Sequence, residues 1–377
     1  MEIYLDNTAT THYDTRVIET MVPFYSELYG NASSIHKAGK RPAEAIEQAR
    51  QIIAGKIHCK PDEIYFTSGG TESNNWALKG VFYSNKQKGN HIITTSIEHP
   101  SILETANWLG EHKAKITLIP VNNQGFVDVD DIRKAIRNDT VLISVMHANN
   151  EIGTIEPIGS IGTLCREKGI LFHTDACQSF TKETIDTEEQ YIDLMTLNAH
   201  KIHGPKGVGA LYIRKGSRCE AFIHGGGQEN NMRSGTYNTP DIAGFGKAAE
   251  IASEEDVQKM SLLRDFFISE VSSKLEGVFL NGPVGGKRLC NNINLRFSKV
   301  KGKSLFTELN KRNIIISAGS ACSSTRLTPS HVLTALGLDE ESAHEGVRIS
   351  LSKWTNKEEL DYVIHHIIDI VDDLRKK

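Results

Sequence analysis

The chain has 377 residues, of which 39% are hydrophobic and 24% are charged, and its formal net charge is −4. This composition excludes an intrinsically disordered protein, because enough apolar side chains are present to offset the conformational entropy of the chain. The near-neutral charge disfavours a direct nucleic-acid binder, and no apolar run approaches the roughly 18 residues of a membrane span.

The N-terminal residues and the cysteines indicate the compartment. The first ten residues carry two acidic side chains and have no basic start followed by an apolar stretch, so we expect a cytoplasmic protein rather than a secreted one. The six cysteines are scattered at positions 59, 165, 177, 219, 290 and 322. No Cys-x-x-Cys pair occurs, so neither a disulfide framework nor a zinc site is expected.

Strand-like apolar segments alternate with helical patterns from about residue 60 to residue 215. Strands are predicted at 63–66, 91–95, 115–119, 140–146, 170–175, 194–197 and 209–213. Helices are predicted between them at 71–87, 101–112 and 158–168. This alternation predicts an α/β fold with a largely parallel sheet covered on both faces. Ligands of such sheets bind at the carboxyl ends of the strands, where several polar clusters of this chain fall.

The pattern changes after about residue 243. One long charged helical run is predicted to continue to residue 275 and to link two domains. The elements predicted beyond it are a strand at 292–297, a helix near 304–312, a Gly/Ser-rich loop at 317–325, a strand at 347–351 and a final helix from residue 356. These elements indicate a smaller α+β domain.

The first polar cluster is the segment 68–72, SGGTE, which follows a strand and begins a helix. Its glycines allow the backbone to approach a ligand closely, and the free N–H groups of a helix start favour an anion such as phosphate. A plain strand–helix turn with an N-cap is an equally good interpretation of this segment alone.

The second cluster is the segment 173–178, HTDACQ, at the end of an apolar strand. A carboxylate at a strand end, here Asp175, can hold a protonated ring nitrogen, and Gln178 is placed to reach the same ligand. The alternative interpretation is a helix cap.

The third cluster is the segment 198–207, NAHKIHGPKG. Burial of Lys201 after a strand would lower its pKa and make the amine able to form a Schiff base. Most lysines are solvated surface residues, and the Gly-Pro-Lys-Gly turn makes Lys201 a less ordinary one. Together the three clusters supply the parts of a pyridoxal-phosphate site: a helix start for the phosphate, a carboxylate for the ring nitrogen and an amine for the aldehyde.

Further motifs make the resemblance to a known family specific. They are YLDNTATT at 4–11, GNASSIH at 30–36, SIEH at 96–99, MHANNEIG at 146–153, HGGGQE at 224–229, RSGT at 233–236 and SAGSACSS at 317–324. With these motifs the chain resembles, over nearly its whole length, the cysteine desulfurases of the nitrogen-fixation and iron–sulfur-assembly type. These enzymes belong to the class-V aminotransferase superfamily of fold-type I pyridoxal-phosphate enzymes.

The resemblance implies a fold and a domain division. We expect a large cofactor-binding domain at 14–258 with a mostly parallel seven-stranded sheet. A smaller α+β domain would comprise 1–13 and 259–377 and would carry the loop with the catalytic cysteine.

The resemblance also implies a role for each residue that matches the family's motifs. Lys201 would bind the cofactor covalently and move protons, Cys322 would attack the substrate sulfur, and His99 would stack on the ring and assist proton transfer. The residues implied for cofactor binding are Gly70, Thr71, Asn150, Asp175, Gln178, Asn198, His200, Lys201 and Thr236, the last from the second subunit of a homodimer. The residues implied for binding the substrate, L-cysteine, are Asn31, Asn150 and Arg348. Asn198 stands where the family commonly has Ser or Thr.

The residues around Cys322 support its role independently of the resemblance. The segment 317–325 is rich in Gly and Ser and has few apolar anchors, so we expect an exposed loop whose thiolate takes up sulfur and delivers it. The implied products are alanine and a persulfide that is passed to an acceptor, such as an iron–sulfur scaffold or a tRNA-thiolation enzyme. No resident metal is expected, although Cys322 could ligate an iron–sulfur cluster transiently with a scaffold.

Two other functions are compatible with parts of the sequence. The first is another reaction on the same cofactor, that of an aminotransferase or a selenocysteine-specific lyase. An aminotransferase has no need of a thiol at position 322. The second is a non-catalytic sulfur carrier or scaffold, which would have no need of Lys201, Asp175 and Cys322 together.

Overall fold

The structure is a computed structural model that describes residues 2–318 and 329–376. Its strands are β1 (Ile3–Tyr4), β2 (Ile64–Thr67), β3 (His91–Thr95), β4 (Lys115–Ile119), β5 (Thr140–Ser144), β6 (Leu171–Asp175), β7 (Leu194–Asn198), β8 (Gly209–Ile213), β9 (Val278–Leu280), β10 (Asn292–Phe297), β11 (Ile314–Ile315) and β12 (Gly346–Ser350). Its helices are α1 (Thr15–Met21), α2 (Pro23–Ser26), α3 (Lys37–Lys56), α4 (Gly70–Ser84), α5 (Pro100–Glu111), α6 (Val129–Ala135), α7 (Ile158–Lys168), α8 (Thr239–Glu250), α9 (Glu254–Lys274), α10 (Gly302–Asn310), α11 (His331–Ala335), α12 (Glu340–His344) and α13 (Lys357–Arg375).

The central sheet of the described chain has seven strands in the order β2-β8-β7-β6-β5-β3-β4. The five strands from β7 to β4 are parallel, whereas β8 runs antiparallel to both of its neighbours. Every residue of β3, β5, β7 and β8 is buried, which is typical of a sheet with helices on both faces. The predicted α/β class with a mostly parallel seven-stranded sheet is confirmed.

A second, smaller core lies around β9, β10 and β12, which pair antiparallel. Apolar residues of α9, α10 and α13 pack on these strands, as does Leu5 from the N-terminal segment. The same segment adds β1 in parallel to β11. The chain's first residues therefore belong to the core that its last hundred residues build, although the domain boundaries 14–258 and 1–13 with 259–377 stay a prediction.

The prediction of one continuous helical run from 243 to 275 is wrong. The structure has two helices there, α8 and α9, separated at residues 251–253. Ser253 is extended, and its side chain accepts a hydrogen bond from the backbone N–H of Asp256. Three acidic residues then occupy the first turn of α9, where they interact favourably with the helix dipole. Helical periodicity continued across this cap and concealed it.

In the described part of the chain, no helix has both the length and the apolar character needed to cross a membrane. One end of the central sheet instead carries the polar clusters found in the sequence. Helix α4 begins three residues after the end of β2, and α5 begins five residues after the end of β3. Turns follow β6 and β7 at the same edge of the sheet. This arrangement brings segments far apart in sequence to one edge of the sheet.

The carboxyl group of Glu156 makes the stability of this fold depend on pH. Burial raises its pKa from 4.5 to about 8, although its Oε2 accepts a hydrogen bond of 3.0 Å from the Val127 N–H. The folded state thus favours the neutral acid, and wild-type stability is expected to fall as pH rises from the unfolded pKa towards about 8.

Glu156→Gln keeps an acceptor but cannot ionise. The free energy of unfolding of the variant minus that of the wild type, both measured by urea denaturation, should therefore increase as pH rises from about 5 to about 8. The increase should be on the order of a few kcal/mol. The other titrating groups are common to both proteins and largely cancel in the difference; Glu98, whose pKa the Glu156 charge raises, is the exception. A difference that stays constant with pH would contradict the prediction.

Candidate active site

A cavity of about 260 Å³ lies at the carboxyl ends of the central strands. The predicted site residues that line it are Gly70, Thr71, His99, Asn150, Asp175, Gln178, Asn198, His200, Lys201 and Arg348. They come from the turns after β2, β3, β5, β6 and β7 and from β12 of the smaller core. The structure thus brings together most of the residues that the sequence singled out.

The first turn of α4 forms a cradle at one end of this cavity. Gly69 has a φ of 146°, which only glycine adopts readily, and Gly70 begins the helix. A Cβ at position 70 would lie 2.6 Å from the Cys177 Sγ, so a larger residue would not fit. The N–H groups of a first helical turn have no partner within the helix and are suited to a phosphate.

Asp175 ends β6 and is buried at the floor of the cavity. Its Oδ1 accepts a hydrogen bond of 2.9 Å from the Cys177 N–H, and its Oδ2 accepts one of 2.7 Å from Asn74 Nδ2. Both oxygens are therefore held in place by neutral donors, which orient the carboxylate towards the cavity where a cationic ring nitrogen would bind.

Lys201 lies three residues after β7, and its amine donates hydrogen bonds to the carbonyl oxygens of Thr8 and Ala9. Burial, followed by the nearby charge of Arg348, lowers the pKa of Lys201 from 10.5 to about 8. The neutral amine, which is the nucleophilic form, is thus far more accessible near neutral pH than in an ordinary lysine.

Two neighbours of Lys201 on the same segment, His200 and Asn198, are neutral. Burial and the charges of Lys201 and Lys206 lower the pKa of His200 to about 3. Asn198 ends β7, is buried, and lines the cavity beside Gly70. Each can donate a hydrogen bond to an anion without an added charge.

Arg348 approaches the cavity from β12 and is 1% exposed. Its Nη2 pairs with the Asp6 carboxylate at 2.8 Å, and its Nη1 donates to the Asn150 carbonyl at 3.3 Å. These contacts tie the smaller core to the N-terminal segment and orient a guanidinium towards the cavity, where its planar fork suits a carboxylate.

Two predicted site residues lie outside the cavity, and a third is not among the described residues. Asn31 is exposed and outside the cavity, where its Oδ1 accepts a hydrogen bond of 2.9 Å from the Ser33 N–H. Thr236 is also exposed and lines a separate surface cleft with Ser68 and Gly207. Cys322 lies outside the described residues.

Unpartnered polar atoms show that the cavity fits a polar ligand. Gln178 Oε1, Asn198 Oδ1 and Arg348 Nε are buried and have no hydrogen-bond partner among the described residues. Because such atoms are costly when left unpaired, they indicate a missing ligand. With the α4 cradle for a phosphate, Asp175 for a ring nitrogen and the Lys201 amine for an aldehyde, the residues fit pyridoxal phosphate.

Sequence reasoning missed residues that support this site, of which Asn74 and Ser101 themselves line the cavity. Asn74 lies one helical turn after Gly70 and reaches Asp175, and Ser101 lies two residues after His99 and contacts its ring. Lys182 donates to the carbonyl oxygens of Gln178 and Lys201 at 2.9 and 3.2 Å. Helical spacing from the motif residues could have found Asn74 and Lys182, whereas the contact to Lys201 depends on the tertiary fold.

Comparisons with known proteins place the chain in a family. Residues 3–363 match the family described as Aminotransferase class-V. The cysteine desulfurase IscS of Dictyoglomus turgidum (strain DSM 6724 / Z-1310) is 49% identical over 99% of this chain and 95% of its own length. The chain therefore belongs to the class-V aminotransferase family.

Solved structures agree with this assignment. A structure titled NIFS-LIKE PROTEIN superposes with a TM-score of 0.92 at 38% identity, covering 99% of this chain and 100% of that one. A structure titled SspA in complex with cysteine has a TM-score of 0.84 at 39% identity, covering 94% and 100%. The predicted family, the fold-type I fold and the pyridoxal-phosphate cofactor are confirmed.

We predict that Lys201→Ala abolishes turnover, because we expect the amine both to bind the cofactor and to move the substrate proton. Loss of the proton-transfer role alone should slow the reaction by at least about a hundredfold. Lys206→Ala is the matched control, since Lys206 is exposed and its amine lies over the Tyr13 ring. Borohydride reduction and peptide mapping of the wild type should mark Lys201, and a label on Lys206 would contradict the assignment.

Proposed function

We propose that the protein is a cysteine desulfurase that converts L-cysteine to L-alanine and leaves the sulfur as a persulfide on Cys322. The observation that carries the proposal is the cavity in which the Lys201 amine, the Asp175 carboxylate, His99 and Arg348 converge. The curated relatives that match the whole chain carry this activity in their names, so the predicted enzyme class is confirmed.

Some residues of the cavity would act on the cofactor, and others would bind the substrate. When bound, pyridoxal phosphate would supply an electron sink for the bonds at the α-carbon of the substrate. Asp175 would pair with the protonated ring nitrogen, which increases that electron withdrawal. Lys201 takes the α-proton as a general base, for which its pKa of about 8 is well matched to neutral pH. Arg348 and Asn150 bind the substrate carboxylate.

Sulfur transfer needs a thiolate. In the transfer step the Cys322 sulfur bonds to the substrate sulfur while the substrate's carbon–sulfur bond breaks, and the carbon takes up protons and leaves as alanine. The enzyme thiol and cysteine thus become a persulfide and alanine without any outside oxidant. The step requires Cys322 to reach the cavity and leave it again, which the polar sequence of its segment permits.

The other five cysteines are poor nucleophiles, which supports the assignment to Cys322. Burial is the largest cause that raises the pKa of each of them above 9.0; they are Cys59, Cys165, Cys177, Cys219 and Cys290. Cys177 lines the cavity itself, but the adjacent Asp175 charge raises its pKa further. A thiol is not the attacking species, so these residues would stay protonated and unreactive.

We predict that Cys322→Ser binds pyridoxal phosphate normally but releases no alanine from cysteine, because a hydroxyl cannot accept the sulfur. Incubation of the wild type with cysteine should add one sulfur mass to the peptide that carries Cys322. Cys59→Ser is the matched control and should behave as wild type. Alanine release by Cys322→Ser at the wild-type rate would overturn the proposal and favour an aminotransferase or another lyase.

The proposal includes a homodimer in which Thr236 completes the phosphate site of the partner subunit. Thr236 is exposed on its own chain, and its loop is held by the buried pair Arg50–Glu229 at 2.7 Å and by the partly buried pair Arg233–Glu72 at 2.8 Å. A rigid loop that presents polar groups outwards suits a site shared across a two-fold axis. Tyr29 is 78% exposed and adds apolar surface to the protomer. A dimer interface would cover such a surface.

Mixing two inactive variants tests the shared site. Lys201→Ala lacks the amine, and Thr236→Asp places a negative charge against the phosphate. In a mixed dimer one site carries both changes, whereas the other carries neither and should be active. We therefore predict that mixing and reassembly restore up to about a quarter of wild-type activity, since half of the dimers are mixed and each has one intact site. No recovery despite proven subunit exchange would contradict a site shared between subunits, and an active monomer in sedimentation would contradict the homodimer.

The destination of the sulfur stays a prediction. An iron–sulfur scaffold and a tRNA-thiolation enzyme are the acceptors that the resemblance implies, and a cytoplasmic location is the one that the N-terminal sequence implies. Capture of the protein that receives radiolabelled sulfur from the loaded enzyme would identify the acceptor.

A further inference from the structure

His99 is held at the first turn of α5 by its own side chain. It is the N-cap residue of the helix, and its ring Nδ1 accepts a hydrogen bond of 3.1 Å from the Ser101 backbone N–H. A backbone N–H can only donate, so the lone pair of Nδ1 has to point at it. The neutral ring must therefore carry its proton on Nε2.

A second contact reaches the same nitrogen. The Ser101 hydroxyl lies 2.8 Å from His99 Nδ1 and also 2.8 Å from Asn74 Nδ2. Because the Asn74 amide nitrogen can only donate, the Ser101 oxygen accepts from it, and the single hydroxyl proton is free to be donated to His99. Two donors thus converge on Nδ1 and oppose its protonation.

The orientation of the Asn74 amide is fixed by a carboxylate. Its Nδ2 donates to Asp175 Oδ2 at 2.7 Å, and a carboxylate oxygen accepts only. The direction of every hydrogen bond from Asp175 through Asn74 and Ser101 to His99 is therefore determined. Two side chains connect the carboxylate that faces the cofactor ring with the histidine that lines the same cavity.

We propose that Ser101 and Asn74 are positioning residues that hold His99 neutral with its proton on Nε2. His99 then enters the reaction as a hydrogen-bond donor towards the cavity rather than as a base. A neutral histidine that donates can stabilise charge developing on the substrate without adding a second cation beside Lys201. This inference rests on the proposed desulfurase activity only for its kinetic consequences.

The charged groups that face His99 bias its titration in both directions. Burial is the main cause that lowers the pKa of His99. Asp175 raises it, whereas Lys201 and His331 lower it. The Ser101 and Asn74 contacts favour the neutral ring, as burial does. The hydrogen-bond geometry supports this effect independently of the nearby charges.

The tautomer can be observed directly in the protein with pyridoxal phosphate bound. In ¹⁵N-histidine-labelled enzyme, the resonance pair that is lost in His99→Gln identifies this ring. We expect an unprotonated Nδ1 and a protonated Nε2 at neutral pH. A proton on Nδ1, or a charged ring at neutral pH, would overturn the proposal.

Variants separate positioning from a merely structural role. Ser101→Ala removes one donor to the neutral ring, so the protonation midpoint of His99 should rise by up to about one pH unit. Asn74→Leu should shift it in the same direction. In Ser101→Ala combined with Asn74→Leu the shift should be smaller than the sum of the two single shifts, because the part that passes through the Ser101 hydroxyl can be lost only once.

Thr105→Val is the matched control. Thr105 is a buried residue on the same helix whose hydroxyl donates to the Ser101 carbonyl at 2.8 Å, so its loss perturbs α5 without touching His99. We expect its His99 midpoint to equal that of the wild type. An equal shift in Thr105→Val, or additive shifts in the double variant, would show that Ser101 and Asn74 act only through general packing.

Kinetics connect the tautomer to the reaction. In Ser101→Ala the acid limb of the kcat/KM profile for alanine release should move to higher pH together with the resonance midpoint, and kcat should fall about tenfold with KM nearly unchanged. A resonance shift without any kinetic change would refute the role of His99 as a donor in the reaction. If the wild type releases no alanine at all, the proposed function fails, while the tautomer result stands by itself.

Discussion

The site depends on where the amine of Lys201 is held. Its hydrogen-bond partners are the carbonyl oxygens of Thr8 and Ala9, which belong to the N-terminal segment rather than to the central sheet. Carbonyl dipoles hold a buried amine in place but offset its charge less than a carboxylate would. For this reason burial and the charge of Arg348 prevail, and the pKa of Lys201 falls to about 8. The reactivity of the lysine therefore depends on how the chain's first residues pack.

The same segment joins the two cores. Asp6 pairs with Arg348 of β12, the Asn7 amide donates to the Ser350 carbonyl at 2.8 Å, and Thr11 bonds the carbonyl of His200. Because the segment contacts both the lysine strand end and the arginine strand, it sets the distance between the Lys201 amine and the Arg348 guanidinium, for which we propose substrate binding. A buried ion pair such as Asp6–Arg348 contributes more to this geometry than to stability.

Neutral hydrogen-bonding groups surround the charges of the cavity. His200, Asn198, Gln178, Asn74 and Ser101 all line it or stand directly behind a residue that does. The Asp175 oxygens accept hydrogen bonds from an N–H and an amide, and the Lys201 amine donates to two carbonyl oxygens. Because the partners of Lys201 are neutral, burial determines the direction of its pKa shift.

The sequence by itself determined the chemistry and the order of the elements. The segments SGGTE, HTDACQ and NAHKIHGPKG each follow a predicted strand, and the parallel order of those strands was sufficient to place Gly70, Asp175 and Lys201 at one edge. Local pattern was not sufficient at Ser253, where a polar cap breaks a helical run without changing its periodicity. Only the tertiary structure decided that Thr8 and Ala9 hold the Lys201 amine, that Asn74 joins Asp175 to Ser101, and that Asn31 and Thr236 lie outside their own chain's cavity. These are contacts between segments distant along the chain, and their geometry is set by packing, which no local propensity encodes.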